Sequence, residues 1–226
     1  EVIDWQKVDN KHVLKTATCT LTANKVVMAT NGFTKEGMHK SFDKRLLPVL
    51  SNIVVTRQLT DDEMAAHKWK IYDPICNTRK LLFYYRMLPG NRFMLGARGD
   101  TTGKPEDGEV IKNWMAMRIG EVFPHWRDVE ITHFWRGFVC MTQNFAPSIG
   151  RLDDDPSVYF GYGYHANGVN TAPWAGKLIA NIIAGKATLD DIPAVMRGNT
   201  KKFPFAFLRI WYFKAAKALY HWQDEH

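Results

Sequence analysis

The stretch Gly161-Tyr162-Gly163-Tyr164-His165-Ala166-Asn167-Gly168-Val169 constrains the fold of this chain more than any other. It follows the apolar run Val158-Tyr159-Phe160, which reads as a buried strand. It precedes Leu178-Ile179-Ala180-Asn181-Ile182-Ile183-Ala184-Gly185, an apolar helix that ends on a glycine. Glycines at 161, 163 and 168 remove side chains where a backbone can approach a ligand closely. The unpaired N–H groups at the start of the helix, and the positive end of its dipole, suit an anion or a developing negative charge. Spacing alone leaves a second reading open, a strand-to-helix turn whose glycines serve packing, because the pattern is neither the dinucleotide GxGxxG nor a P-loop.

The rest of the chain supplies strands. Val2-Ile3-Asp4-Trp5 and His12-Val13-Leu14-Lys15-Thr16 flank the turn Asp9-Asn10-Lys11 and predict a hairpin. Lys25-Val26-Val27-Met28-Ala29-Thr30 predicts a strand buried on both faces, stopping at Asn31-Gly32. Leu46 to Thr56 predicts a long strand, with Pro48 setting its start at an edge or bulge. Thr60-Asp61-Asp62-Glu63 reads as a capping box that opens a short helix. A second hairpin is expected from Leu81–Leu88 and Arg92–Gly96 around Pro89-Gly90-Asn91, then a polar loop over 99–108. An amphipathic helix is predicted over 109–123, stopped by Pro124, and a strand over 129–139. Thr188 reads as a cap, and the tail from Phe203 to Trp222 as a helix that packs on its own domain or lies on a membrane surface.

A chain of 226 residues accommodates one large domain or two small ones. Two characters alternate along it. Residues 1–44 and 141–203 hold parallel-type strand ends and the strand–turn–helix, whereas 45–140 hold long strands and hairpins with two helices, and 204–226 form the terminal helix. The expected fold class is mixed α+β and α/β, an antiparallel domain inserted into an α/β domain.

Cys19, Cys76 and Cys140 are scattered and odd in number, which predicts neither a disulfide framework nor a CxxC site, and a cytoplasmic setting is the expectation. The histidines lack HxxxH and HExxH spacing, so no metal is expected. The net charge of +7 fits a basic surface or attraction of an anionic ligand, and no signature supports nucleic-acid binding. No apolar run reaches the length of about 18 residues that a transmembrane helix needs.

Four blocks resemble FAD-dependent oxidoreductases of the D-amino-acid oxidase (DAO) family. Val26-Val27-Met28-Ala29-Thr30-Asn31-Gly32 is similar to their VVxATNG strand, and the segment Tyr85-Arg86-Met87-Leu88-Pro89-Gly90-Asn91-Arg92-Phe93-Met94-Leu95-Gly96 resembles their YRxxPDGRxxxG hairpin. Trp135-Arg136-Gly137 with Pro147-Ser148-Ile149-Gly150 resembles WxG…PxIG, and Gly161 to Val169 resembles the terminal flavin loop. The wording looks most like γ-glutamylputrescine oxidoreductase-like amine oxidoreductases. The family opens with a GxGxxG βαβ unit that this chain lacks. On the resemblance, the chain reads as the C-terminal half of the fold, a remnant of the FAD-binding domain plus the inserted antiparallel-sheet substrate domain. It is then expected to need an N-terminal half that carries GxGxxG, or self-association, and to be inactive alone.

The resemblance implies hydride transfer from the carbon beside an amine nitrogen to FAD. It places Ala29, Thr30, Asn31, Gly32, Gly163, His165, Ala166, Asn167, Gly168 and Val169 at the cofactor. Tyr85, Arg86 and Tyr164 become candidates for the substrate, and Tyr164 and His165 for catalysis. Trp135 and Arg136 read as structural. Relatives that act on amino acids carry an arginine where this chain has Phe138-Val139-Cys140-Met141, which favours an amine or a differently held acid. The family's TxDxxP is replaced by Thr142-Gln143-Asn144-Phe145-Ala146-Pro147. Cys140 sits at the wrong offset for a covalent link, so non-covalent FAD is expected. The alternative is a non-catalytic binding or assembly module that keeps the fold without FAD.

Overall fold

The structure, a computed structural model, describes residues 1–99 and 103–226. The chain opens with strands β1 (Val2–Val8), β2 (Lys11–Thr16), β3 (Thr20–Ala23), β4 (Val26–Met28) and β5 (Leu47–Gln58). Helix α1 (Asp61–Ala66), strands β6 (Ile75–Cys76), β7 (Phe83–Leu88) and β8 (Arg92–Arg98), helix α2 (Pro105–Val122) and strand β9 (Ile131–Met141) follow. The chain closes with β10 (Ser148–Arg151), β11 (Val158–Tyr162), α3 (Gly168–Ile183) and α4 (Arg209–Glu225). Among the described residues no helix is long and apolar enough to cross a membrane.

Two compact units form, one from Glu1–Pro48 with Val139–Arg209 and one from Val49–Phe138 with Ile210–His226. In the first unit β1, β2 and β3 make an antiparallel meander. Its first turn is made by Asp9 and Asn10, both left-handed (φ 48° and 61°), as residue types that tolerate this region allow. The second sheet has the order β10-β11-β4, with β11 antiparallel to β10 and parallel to β4, so that Phe160 pairs with Met28. All five residues of β11 are buried, and Phe160 and Tyr162 pack with Phe42, Leu46, Cys140 and Val158. Helix α3 covers the sheet through Ala175 and Ile179, which meet Ile149 and Tyr159.

The second unit is a five-stranded sheet, order β6-β7-β8-β5-β9. Its core lies on one face, where Val54, Met87, Phe93 and Leu95 meet Met115 and Ile119 of α2 and Trp126. The capping box that opens α1 is formed: Thr60 accepts from the Glu63 N–H, and Glu63 accepts from the Thr60 N–H. Arg57 pairs with the same carboxylate at 2.8 Å, and its hydrogen bond is the main reason the Glu63 carboxyl is held down to about 2.

Several sequence expectations change. Within this chain β4 stands at the end of its sheet and leaves Val27 45% exposed. It is also shorter than expected, because Thr30 is already helical (φ −76°, ψ −11°) and leads into the 3-10 turn Asn31–Phe33. Of the loop expected over 99–108, residues 100–102 lie outside the described residues, and α2 already starts at Pro105, a residue suited to a first helical position. β3 and β6 have no alternation to announce them; they are held by pairing with β2 and β7. The box at Thr188 closes a short 3-10 turn, Leu189–Asp191.

Candidate active site

Parallel pairing of β4 and β11 brings the ends of both strands to one sheet edge, the place where open α/β sheets bind ligands. At that edge Ala29 and Thr30 are exposed and Gly32 is buried in a 3-10 turn. The Asn31 side chain turns to the other strand end, where its Oδ1 accepts the Gly163 N–H at 2.9 Å. The two blocks singled out in the sequence are therefore tied by one hydrogen bond across 132 positions.

The turn itself is left-handed at Gly163 (φ 74°), His165 (φ 48°) and Ala166 (φ 74°). Two non-glycine residues in succession in this region are costly, and such strain persists only where the surroundings fix it. Here the His165 N–H is given to the Cys140 carbonyl at 3.3 Å and the Asn167 N–H to the Tyr164 carbonyl at 2.8 Å. The His165 ring is fixed as well. Its Nε2 accepts the Thr142 N–H at 3.2 Å and lies 2.9 Å from the Thr142 hydroxyl. An accepting Nε2 assigns the proton to Nδ1 of a neutral imidazole. Burial holds the ring below its ordinary 6.5, although the Ala146 carbonyl works the other way. The ring of Phe145, left-handed and 74% exposed, lies 5.8 Å from it.

Hydrogen bonding divides the residues expected at the cofactor. The amides of Gly163, His165 and Asn167 are spent within the protein. Those of Gly168, Val169 and Asn170 open α3 and have no intrahelical partner. Val169 is 94% exposed and no acidic side chain sits in the first turn, so these amides present unopposed positive potential. Ala166 and Asn167 are exposed beside them.

Tyr164 is 8% exposed and packs with Ile149, Ala175 and Ile179 in the core beneath α3. A Cβ at Gly161 would fall 2.8 Å from its hydroxyl, so the glycine makes room for the phenol. Left-handed His165 and Ala166 reverse the chain directly after Tyr164, which leaves the ring inside.

In the second unit, Tyr85 and Arg86 cannot line one pocket together, because neighbouring strand residues point to opposite faces. Tyr85 packs on the core side with Phe83 and Phe93. Arg86 shares the other face with Tyr84, a residue the sequence reading passed over. The Tyr84 ring crosses Gly96, where a Cβ would come within 1.9 Å of it, and its hydroxyl meets Ser51 Oγ at 2.5 Å. Burial pushes the Tyr84 phenol up. Arg86 Nε is buried with no hydrogen-bond partner among the described residues. Strict alternation from Phe83, taken as inward, would have selected Tyr84 with Arg86. Arg136 gives an N–H to the Lys104 carbonyl at the start of α2, whereas Trp135 is 47% exposed.

Burial also lowers His12, His39 and His67 from 6.5. The unfolded chain therefore binds protons below about pH 6.5 that the folded chain refuses, and stability rises with pH across that window. The thermal midpoint is expected to be level above pH 7 and to fall from pH 6.5 toward 5. It should fall again below pH 4 as Glu63 and Asp155 approach their folded values of about 2. For Asp155, burial opposes ionisation but the Lys7 and Ser157 hydrogen bonds outweigh it. Differential scanning calorimetry across this range checks it; a midpoint higher at pH 5.5 than at pH 7.5 would refute the assignment.

Comparison with known proteins places this geometry. The family model described as FAD dependent oxidoreductase matches residues 1–182. Gamma-glutamylputrescine oxidoreductase of Escherichia coli K12 is 28% identical over 210 residues, covering 89% of this chain and 47% of that protein. A probable oxidoreductase OrdL of Haemophilus influenzae is 29% identical over 187 residues, covering 81% and 41%. The solved glycine oxidase of Geobacillus kaustophilus superposes with a TM-score of 0.64 at 23% identity, covering 83% of this chain and 49% of that one, and shows a shared α+β fold. The chain spans about half the length of the curated relatives it matches.

Proposed function

This chain belongs to the FAD dependent oxidoreductase family, and from that premise we propose that it forms the flavin-loop and substrate-sheet portion of an amine or amino-acid oxidoreductase. Bound FAD supplies the hydride acceptor for a C–H bond next to an amine nitrogen. The observation that carries the reading is the clamp of Asn31 on Gly163, which fixes the end of β4 against the turn before α3. The donors fit one edge of a flavin: open amides at Gly168 and Val169, no acidic neighbour in the first turn, and small exposed residues at Ala29 and Thr30. Preorganised amides of this kind stabilise negative charge in the pyrimidine ring without reorganising.

In this reading His165 is a positioning residue. Its Nε2 is engaged by Thr142, so it orients the turn and does not exchange protons with substrate. Arg86, with a buried Nε that has no hydrogen-bond partner among the described residues, is the group suited to an acidic substrate moiety, consistent with an acid held differently from that of amino-acid oxidases. Cys140 is fully buried, and burial pushes its thiol up to about 12, which supports non-covalent FAD. The pyrophosphate-binding GxGxxG segment would come from sequence outside this chain or from a second chain. Three free cysteines support a reducing, cytoplasmic setting.

The protein that carries this chain in full length should purify with flavin absorbance that bleaches anaerobically on addition of an aliphatic amine or amino acid. Full-length protein that holds no flavin and takes none up on titration would leave the non-catalytic module as the reading.

A further inference from the structure

A cavity of about 320 Å3 lies in the second unit on the core face of the sheet, away from Tyr84 and Arg86. Its walls are Phe83, Tyr85, Phe93, Leu95, Ile119 and Phe123, and Arg79, Arg118 and Glu225 also line it. It opens to the surface, and its volume is that of a small-molecule site. Arg79 and Arg118 both donate to one oxygen of Glu225, Arg118 at 2.7 Å. The guanidiniums do not depend on that carboxylate for their places. Arg79 lies over the Phe83 ring at 5.8 Å and Arg118 over Trp114 at 6.0 Å. Arg118 also pairs with Glu121 at 2.7 Å, and Arg79 lies 3.8 Å from Asp224. Arg79 Nε is buried and makes no hydrogen bond among the described residues; it is this atom that stands 3.8 Å from Asp224 Oδ2.

Glu225 is the last residue of α4, and its neighbour Asp224 holds the helix end separately by accepting the N–H groups of Lys80 and Leu81 at 2.8 and 2.9 Å. Glu225 can swing away while the helix end remains anchored. Exchange of its carboxylate for that of a ligand leaves the charge balance at the two arginines unchanged.

We propose that this cavity binds a small carboxylate with an aromatic or branched apolar body, whose carboxylate displaces Glu225 from Arg79 and Arg118. The body fills the space between β7, β8 and α2, and the arginines fork the acid. Glu225 then acts as a tethered competitor that sets the ligand concentration at which the site fills.

The probe is 3-phenylpropionate, titrated by calorimetry into the full-length protein that carries this chain, with its uncharged amide as control. The acid should bind, and the amide should bind at least about tenfold more weakly. Glu225→Gln should tighten the acid about tenfold, while Arg79→Gln with Arg118→Gln should abolish binding. Circular dichroism on each variant verifies the fold, and the acid-against-amide comparison on the native chain needs no variant. Equal binding of acid and amide, unchanged affinity in Glu225→Gln, or no binding of the acid at about 10 mM by the native and Glu225→Gln chains alike would overturn the proposal.

Discussion

Gly163→Ala is expected to cost about 3 kcal/mol of folding stability, from two separable sources. The backbone there has φ 74°, where an alanine carries a penalty of about 1 kcal/mol that glycine does not. The added Cβ would also fall 2.3 Å from Thr142 Cγ2. Thr142 cannot simply turn away: it is 1% exposed and β-branched, and its hydroxyl lies 2.8 Å from the Ala146 carbonyl and 2.9 Å from His165 Nε2. Relief must therefore come from the backbone of the turn, which stretches the hydrogen bond from the Gly163 N–H to Asn31. Thr142→Ser removes the offending methyl and keeps the hydroxyl, so the pair Gly163→Ala with Thr142→Ser should recover about 1–2 kcal/mol relative to the sum of the single changes. Urea denaturation of the four proteins reads this directly. A single-variant loss below about 1 kcal/mol, or strict additivity in the pair, would show that Thr142 does not limit the turn.

The same residues show what the sequence could and could not reveal. The hairpin at Asp9-Asn10, the box at Thr60 and Glu63, and the strand–turn–helix at 158–183 are local: propensity, caps and periodicity point to one answer. The Asn31–Gly163 clamp is not local, and no spacing rule selects Asn31 as the partner of a glycine 132 positions away. The partnership of Thr142 with His165 is hidden for the same reason. The burial of Tyr164 is hidden because a glycine-rich motif is silent about which side chains turn inward; that depends on where the left-handed residues fall. Tyr84 and Tyr85 differ only by the face of a strand, and the face is set by which neighbours meet α2. Val27 reads as interior by composition, yet only the strand order of the folded sheet reveals that β4 stands at its end. The pairing of Arg79 and Arg118 with Glu225 needs α4 in place, and the tail's composition does not fix where it docks.

Trp126→Ala should have the larger effect on the second unit, about 3–5 kcal/mol. The indole is 1% exposed and lies against Phe123 at 4.5 Å, His67 at 5.0 Å, Phe93 at 5.1 Å and Trp69 at 6.0 Å. Removing it opens a void among rings too rigid to collapse into it, so the lost contacts are not regained. Its Nε1 also donates to the Glu63 carbonyl at 2.8 Å. Glu63 is the residue whose side chain caps α1 and pairs with Arg57, so one residue links the core ring to the helix start and to β5. Trp126→Phe separates the two contributions: it keeps much of the packed ring but leaves the Glu63 carbonyl without its donor, for an expected loss of about 1–2 kcal/mol. Thermal and urea unfolding of the two variants should rank them Ala below Phe below native. A phenylalanine variant as damaging as the alanine one would mean that the hydrogen bond, and not the packing of the indole, anchors α1 to this core.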